Sequence, residues 1–400
     1  MAGALDGIRV VELGLWVAGP SCAAILRDWG ADVIKIEPPG GDPFRGLFAS
    51  AMGSAAPLNP PFEVDNRGKR SMALNLDDEA ARTIARRLID GADVFVTNMR
   101  PRVLADFGLD FETLAKSNPR LVYASVTGQG PDGPNRDRAA YDIGGFWSRA
   151  GVAASLVPPG APLPQQRGGM GDHMTGMSAA GAVAAALVAR ERTGRGQRVA
   201  TSLVRVGTYM MSWDLMLALR LKVPVVPYDR DHAVNPIINC FKTKDERWFW
   251  LLLLQADRHW PDLCRALGRE DLMSDDRFAD IAVRREHGPQ LVAELDGEFA
   301  KKTLAEWGEV FDRENVWWAP VNTLNDVIED PVAHEAGVFT DVAGPDGPLT
   351  FVATPADFSE TEAGPRGLSP ELGQHTEEVL LELGFDWERI IALKEQGAIP

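Results

Sequence analysis

Short apolar runs alternate with helical patterns through the first 130 residues, and this alternation limits the fold more than any other feature of the chain. Residues 8–13 form an apolar run of strand length. Gly19 and Pro20 then open a helical stretch that sets Ala23, Ala24, Leu26 and Trp29 on roughly one face and stops at Gly30. A second strand follows at 33–36 and ends at Pro38 and Pro39. Residues 82–89 read as helix, and 94–97 and 121–126 as strands. Such alternation predicts an α/β fold, a parallel sheet covered by helices.

The pattern then changes. Residues 131–172 are rich in Gly and Pro, as a loop-bearing surface is. Residues 173–190 predict a helix of small residues (Gly176, Ala179, Ala180, Gly181, Ala184, Ala185), which would be close-packed and buried. A second helix is expected after Ser202, running to about Arg220. Residues 222–236 read as a linker. Beyond it, 239–254 predict two strands around a turn at 244–247, with amphipathic helices at 260–267 and 304–313. This is a separate α+β module, and a chain of 400 residues has room for two domains. After Pro331 the chain is turn-rich, with a final helix expected at 376–383.

The net charge of −16 disfavours nucleic acid as a partner, and any polyanionic ligand would need a local basic patch. Cys22, Cys240 and Cys264 are isolated, so neither a disulfide framework nor a zinc site is expected, and reduced cytoplasmic thiols fit best. The first seven residues lack the basic and apolar segments of a signal peptide. The most apolar stretch, 251–254, is far short of the roughly 18 residues a membrane span needs.

Four strings could carry chemistry. In RGGMGDHMTG (167–176), glycines at 168, 169 and 171 expose the backbone and permit positive φ, and Asp172 stands where the small-residue helix should begin. Asp172 reads either as the helix N-cap or as a carboxylate nucleophile beside free backbone N–H groups; the two are compatible. Tyr141 and Asp142, in RAAYDIGG (138–145), read as a helix cap or as a second polar pair facing the same cleft. NRGKRS (66–71) and NMRPR (98–102) are the clearest basic clusters, either solvated loops or candidates for the phosphates of a ligand at strand ends. The first turn, GLWVAG (14–19), is not GxGxxG: Trp16 and Val17 stand where a pyrophosphate must approach, so only Glu37 speaks for a dinucleotide. The chain has no GxSxG, P-loop or HExxH motif.

Taken in order, these strings resemble the class III CoA-transferases, which include formyl-CoA transferase and its α-methylacyl-CoA racemase relatives. The resemblance rests on LDGIRVVEL (5–13), AGP (18–20), GADVIKIE (30–37), NRGKRS, PRLVY (119–123), TGQGPDGP (127–134), GRGQ (194–197) and APVN (319–322). It implies a Rossmann-like large domain built from both chain ends (1–221 and 326–400), a linker and small α+β domain at 222–325, and an interlocked homodimer. It implies that Asp172 attacks an acyl-CoA thioester to give an aspartyl anhydride and then an aspartyl-CoA thioester. Val17, Ala18, Leu74, Asn75, Asn98, Met99, Arg100, Tyr141 and Asp142 match positions lining the CoA site. Coenzyme A enters as the acyl-CoA substrate, with no permanently bound cofactor; the partners are an acyl-CoA and a carboxylic acid, with no membrane or nucleic acid.

Three departures narrow the reading. Val17 stands where the transferases often carry Gln, and Pro38 where they often carry Arg. The glycine-rich loop that shields the intermediate in formyl-CoA transferase has no counterpart; residues 228–235 occupy that region, so formyl-CoA and oxalate are not the expected substrates. The racemases carry His-Asp where this chain has Tyr141-Asp142, and a Glu near Gln255. A phenol and an amide replace their bases poorly, which favours transfer over epimerisation. A 2-methylacyl-CoA epimerase and a non-catalytic acyl-CoA-binding protein are the alternatives.

Overall fold

A computed structural model of the chain describes residues 2–47, 59–158 and 160–400. The chain divides into two compact units, one of residues 1–154, 164–225 and 334–400, the other of 155–163 and 226–333.

The first unit holds the parallel sheet that the alternation predicts. Its strands are β1 (Arg9–Leu13), β2 (Asp32–Glu37), β3 (Arg70–Ala73), β4 (Val94–Thr97), β5 (Val122–Thr127) and β6 (Gln197–Ser202), in the order β3-β2-β1-β4-β5-β6. Every neighbouring pair is parallel. The connecting helices are α1 (Ala18–Asp28), α2 (Pro60–Asn66), α3 (Glu79–Asp90), α4 (Pro101–Phe107), α5 (Phe111–Ser117) and the 24-residue α6 (Met170–Thr193). Alternate side chains serve opposite faces. Val10, Val33, Val94 and Val122 pack with α1 and α6, whereas Val11, Ile34, Ile36 and Phe95 pack with α3. With both faces covered, the inner strands are buried on both sides, and polar residues within them such as Glu12 and Lys35 are held in buried ion pairs.

Helix α6 is buried along one stripe only: Thr175, Gly176, Ala179, Ala180, Val183 and Leu187 face inward, whereas Met177 and Val188 are exposed. The small residues matter at one point above all. A Cβ on Gly176 would lie 2.0 Å from Ser21 Oγ and 2.9 Å from the Cys22 nitrogen, so α1 and α6 touch through that glycine. The single helix expected after Ser202 is two, α7 (Leu203–Met210) and α8 (Ser212–Leu221), broken at Met211.

In the second unit, β7 (Cys240–Lys242), β8 (Trp248–Leu251) and β9 (Trp318–Pro320) form an antiparallel sheet. Helices α9 (Ala256–Leu267), α10 (Gly288–Phe299) and α11 (Leu304–Arg313) cover it around a core that includes Phe241, Phe249, Phe299, Trp307 and Phe311. Trp260 belongs to that core, but Trp248 is exposed.

The returning chain forms a hairpin, β10 (Phe339–Gly344) and β11 (Gly347–Val352), then α12 (Thr376–Glu382) and α13 (Trp387–Gln396). The last of these helices escapes the sequence pattern. This segment lines β3: the His375 N–H donates to the Ser71 carbonyl at 2.9 Å, the Ala73 N–H to Thr376 Oγ1 at 3.0 Å, and the Asn75 N–H to the Ala398 carbonyl at 2.9 Å. No helix among the described residues is long and apolar enough to cross a membrane.

Strand ends carry a buried ionic network. The Lys35 ammonium donates to Glu12 Oε1 at 2.9 Å, Asp42 Oδ2 at 3.0 Å and the Gly14 carbonyl at 2.8 Å. Lys69 donates to the other Glu12 oxygen at 2.6 Å and Arg67 pairs with Asp28, whereas Arg70 pairs at the surface with Asp32 and Glu378. The NRGKRS cluster is therefore internal structure and not a phosphate cradle. Acids from neighbouring strands and helices hold its cations, because a buried charge persists only when paired.

Candidate active site

The strand order reverses direction between β1 and β4, and in open α/β sheets ligands bind at the carboxyl ends flanking such a point. Two loops meet there. Asn98, just past β4, clamps the loop after β1, donating Nδ2–H to the Leu15 carbonyl at 2.7 Å and accepting the Leu15 N–H at 2.9 Å. Gly19 makes room for it, since a Cβ there would sit 3.1 Å from Asn98 Cγ. Trp16 adopts φ 65°, a left-handed conformation unusual for an aromatic residue. Its N–H donates to Asp42 Oδ1 at 3.0 Å, so the ionic network beneath the loop also sets its shape. The Trp16 ring meets Tyr141 edge-on, with centroids 5.7 Å apart.

A cavity of about 380 Å³ opens over these loops. Seven residues singled out in the sequence line it: Ala18, Asn98, Met99, Arg100, Tyr141, Asp142 and Asp172. Three do not. Val17 packs with Phe44 and Phe62, and Leu74 is wholly buried in the sheet core. Asn75 donates its amide to the Gly397 carbonyl at 3.1 Å, tying down the C-terminus. Conversely, Arg136 and Arg138 line the cavity although the sequence does not mark them, and so does Trp16, which the sequence presents as an obstacle to a pyrophosphate. Both arginines lie in NRDR, where adjacent acids make the segment look charge-balanced. Arg136 does pair with Asp137, but Arg138 and Arg100 have no ion-pair partner among the described residues. Arg102 stays outside the cavity, on the surface of α4 near Asp106.

Asp172 lies in the first turn of α6 and is not its cap. Gly169 takes the cap position at φ 74°, which lets the helix start at Met170, before the aspartate. The carboxyl is half-buried. Burial first, then the neighbouring Asp142 carboxylate and Asp65, push its pKa up to about 7 against the opposing charge of His173. Asp142 is itself buried and accepts the Gly171 N–H at Oδ2, 3.0 Å away, while Oδ1 has no partner among the described residues. This contact exists because residue 171 is glycine: a Cβ would come within 2.2 Å of Phe146 Cγ and 2.3 Å of Asp142 Oδ1. Phe146 sits in a π-helical turn, Ile143–Arg149, a form that often accompanies functional sites. The backbone donors expected beside Asp172 are in part engaged, the Gly171 N–H by Asp142 and the His173 N–H by the Gly169 carbonyl at 2.8 Å.

Chemically, the site offers a carboxylate near half ionisation at neutral pH, more basic than an ordinary aspartate and therefore a better nucleophile. A partly apolar wall of Leu15, Trp16, Met99 and Leu203 screens it, and guanidinium groups line the same cavity. No group of His, Cys, Asp and Glu among the described residues could hold a metal ion.

Comparison with known proteins gives a consistent result. Residues 5–376 match the family model for CoA-transferase family III. The chain is 32% identical to (R)-2-hydroxy-4-methylpentanoate CoA-transferase of Clostridioides difficile, over 99% of each chain. It is also 32% identical to cinnamoyl-CoA:phenyllactate CoA-transferase of Clostridium sporogenes, over 98% of this chain and 97% of the other. Among solved structures, a CAIB/BAIF family protein from Brucella suis superposes with a TM-score of 0.82 at 30% identity, covering 96% of this chain and all of that one.

Proposed function

The chain belongs to CoA-transferase family III, and from that premise we propose that it moves CoA between two carboxylic acids through covalent intermediates on Asp172. The observation that carries this reading is the placement of Asp172: a half-buried carboxyl, held near pKa 7 by burial and Asp142, in a cavity at the topological switch point. In the first step an Asp172 oxygen attacks the donor thioester, the C–S bond breaks, and an aspartyl anhydride and CoA thiolate result. The thiolate then attacks the aspartyl carbonyl and releases the donor acid as its carboxylate. The acceptor carboxylate opens the aspartyl-CoA thioester, and the thiolate finally takes up the new acyl group and frees Asp172. Each step exchanges one acyl derivative for another, so no external energy source is needed, but water must be kept out.

Arg100, Arg136 and Arg138 are the candidates to hold the CoA phosphates, as unpaired or exposed guanidinium groups on the cavity wall of an acidic protein. The apolar wall supports an acyl group with little charge, as in the isohexanoyl-type and aryl acids that the two Clostridium-group relatives are named for. Incubation with an acyl-CoA and hydroxylamine, followed by peptide mass spectrometry, tests the proposal. A hydroxamate on Asp172 is the expected product; failure of every acyl-CoA that binds to yield one counts against it.

We also propose a homodimer. Helix α8 has no buried residue, and Trp213 (80% exposed), Leu219 and Leu221 on it join Tyr209 (79%) in a large apolar surface of the kind that marks an interface.

A further inference from the structure

An acceptor acid faces an electrostatic obstacle here. Its carboxylate has to reach a site that already holds Asp172 and Asp142, in a chain of net charge −16. The cavity arginines are spoken for if CoA occupies the cavity. Among the described groups that act electrostatically on Asp172, His173 is the one cation, and the others, Asp142 and Asp65, are anions.

His173 is the next residue in the first turn of α6, and two contacts fix its ring. Nε2 bonds Oδ1 of Asp65 at 3.1 Å, and the Asp65 side chain, on α2, is only 2% exposed. The ring also lies across Gly169, where a Cβ would come within 3.0 Å of Cε1 and 3.2 Å of Nδ1. The imidazole is nonetheless 48% exposed, and Nδ1 has no partner among the described residues. An oriented imidazole with one nitrogen anchored on a buried carboxylate and the other open is arranged to receive an anion.

Resting on the assignment of Asp172 as nucleophile, we propose that His173, held by Asp65, binds the carboxylate of the acceptor acid beside Asp172. In the resting site the charges of His173 and Asp172 act on one another. Once Asp172 is esterified it is neutral, and the imidazolium is left for the incoming acid. The acceptor oxygen attacks the aspartyl carbonyl, the C–S bond breaks and CoA leaves as thiolate; His173 keeps its proton throughout.

Charge state agrees with this role. Burial alone would lower the His173 pKa, but the hydrogen bond to Asp65 and the charges of Asp65, Asp172 and Asp142 raise it above the ordinary histidine value. Burial raises the Asp65 pKa, and the His173 hydrogen bond and charge, followed by Lys69 and Arg67, act against that rise. The imidazolium therefore persists to higher pH than that of an ordinary histidine and is lost as pH rises through the raised value.

The test is a split of half-reactions in His173→Gln and Asp65→Asn. His173→Gln is expected to raise KM for the acceptor acid roughly tenfold or more, the scale of one charged hydrogen bond, with KM for the acyl-CoA unchanged. Asp65→Asn should shift the same constant in the same direction by less. In the wild-type enzyme the acceptor KM should climb at alkaline pH, a limb that His173→Gln removes. An unchanged acceptor KM, or an equal rise for donor and acceptor, overturns the assignment. Should His173→Gln fail to fold, the alkaline limb of the wild type decides alone: its absence refutes the role. Hydroxylamine trapping on the wild type separates the two ideas. Without a hydroxamate on Asp172 the nucleophile reading falls, and this inference with it; with one, an unchanged acceptor KM removes only His173.

Discussion

The carboxyl of Asp172 is the most consequential single group in the chain, and its environment makes a prediction with a definite sign. A carboxylate whose pKa is raised to about 7 is protonated, and so not nucleophilic, at lower pH. The acylation rate should therefore fall about tenfold per unit as pH drops below about 7 and level off above it, as stopped-flow release of CoA thiol would show. Asp172→Asn should lower transfer at least about a thousandfold and give no hydroxamate. It should also stabilise the fold. A carboxyl with a folded pKa above its unfolded one costs stability at pH values above the folded pKa, and that cost disappears below the unfolded pKa. The variant's gain in Tm should hence be full at pH 8 and shrink toward pH 4. On the cavity wall, Arg138→Ala should raise KM for acyl-CoA about tenfold, with a weaker salt dependence than the wild type.

Residue-level reading of the sequence had uneven reach. Asp172 was legible because glycines flank it on one side and small helical residues on the other. Its relation to the helix was not, because a cap assignment turns on whether Gly169 takes a left-handed φ, which no local pattern states. Trp16 was read as an obstacle to a pyrophosphate, yet it lines the cavity, its φ of 65° sustained by a hydrogen bond from its own N–H to Asp42, 26 positions later. The cations of NRGKRS illustrate the same limit: whether a lysine is a ligand or a strut depends on acids from other elements.

Among elements, the contact between α1 and α6 is the most exacting. Placing a methyl group on Gly176 forces Ser21 and the Cys22 backbone away, so Gly176→Ala should cost about 1–3 kcal/mol. Thermal unfolding measures it, and an unchanged Tm would mean that the helices part freely. Helix α6 also carries Asp172 and His173 at its start, so the same variant should lower activity by displacing them. Strands β1, β2, β4 and β5 and their parallel pairing are legible from apolar runs of four to six residues, whereas β3 (RSMA) and β6 (QRVATS) are not, since neither is an apolar run. The break at Met211 and the extra helix α13 were not: both sit in sequences with helical propensity throughout, and only packing decides where the helix stops.

At the scale of the whole molecule, the exposed apolar surface on α7 and α8 predicts association. Sedimentation equilibrium should return twice the 43.5 kDa chain mass at micromolar concentration. Introducing a charge at Trp213, 80% exposed, should shift the equilibrium to monomer without unfolding the sheet. The chain's path between units has a different kind of consequence. Strand β3 is the sheet's outer edge, and its covering comes from His375, Thr376 and the segment around Ala398, some 300 positions downstream. During synthesis the ribosome therefore delivers the six strands with the β3 border bare, because that strand precedes the piece that seals it by some 300 positions. Nascent chains would have to wait in that state, exposed to strand-to-strand adhesion.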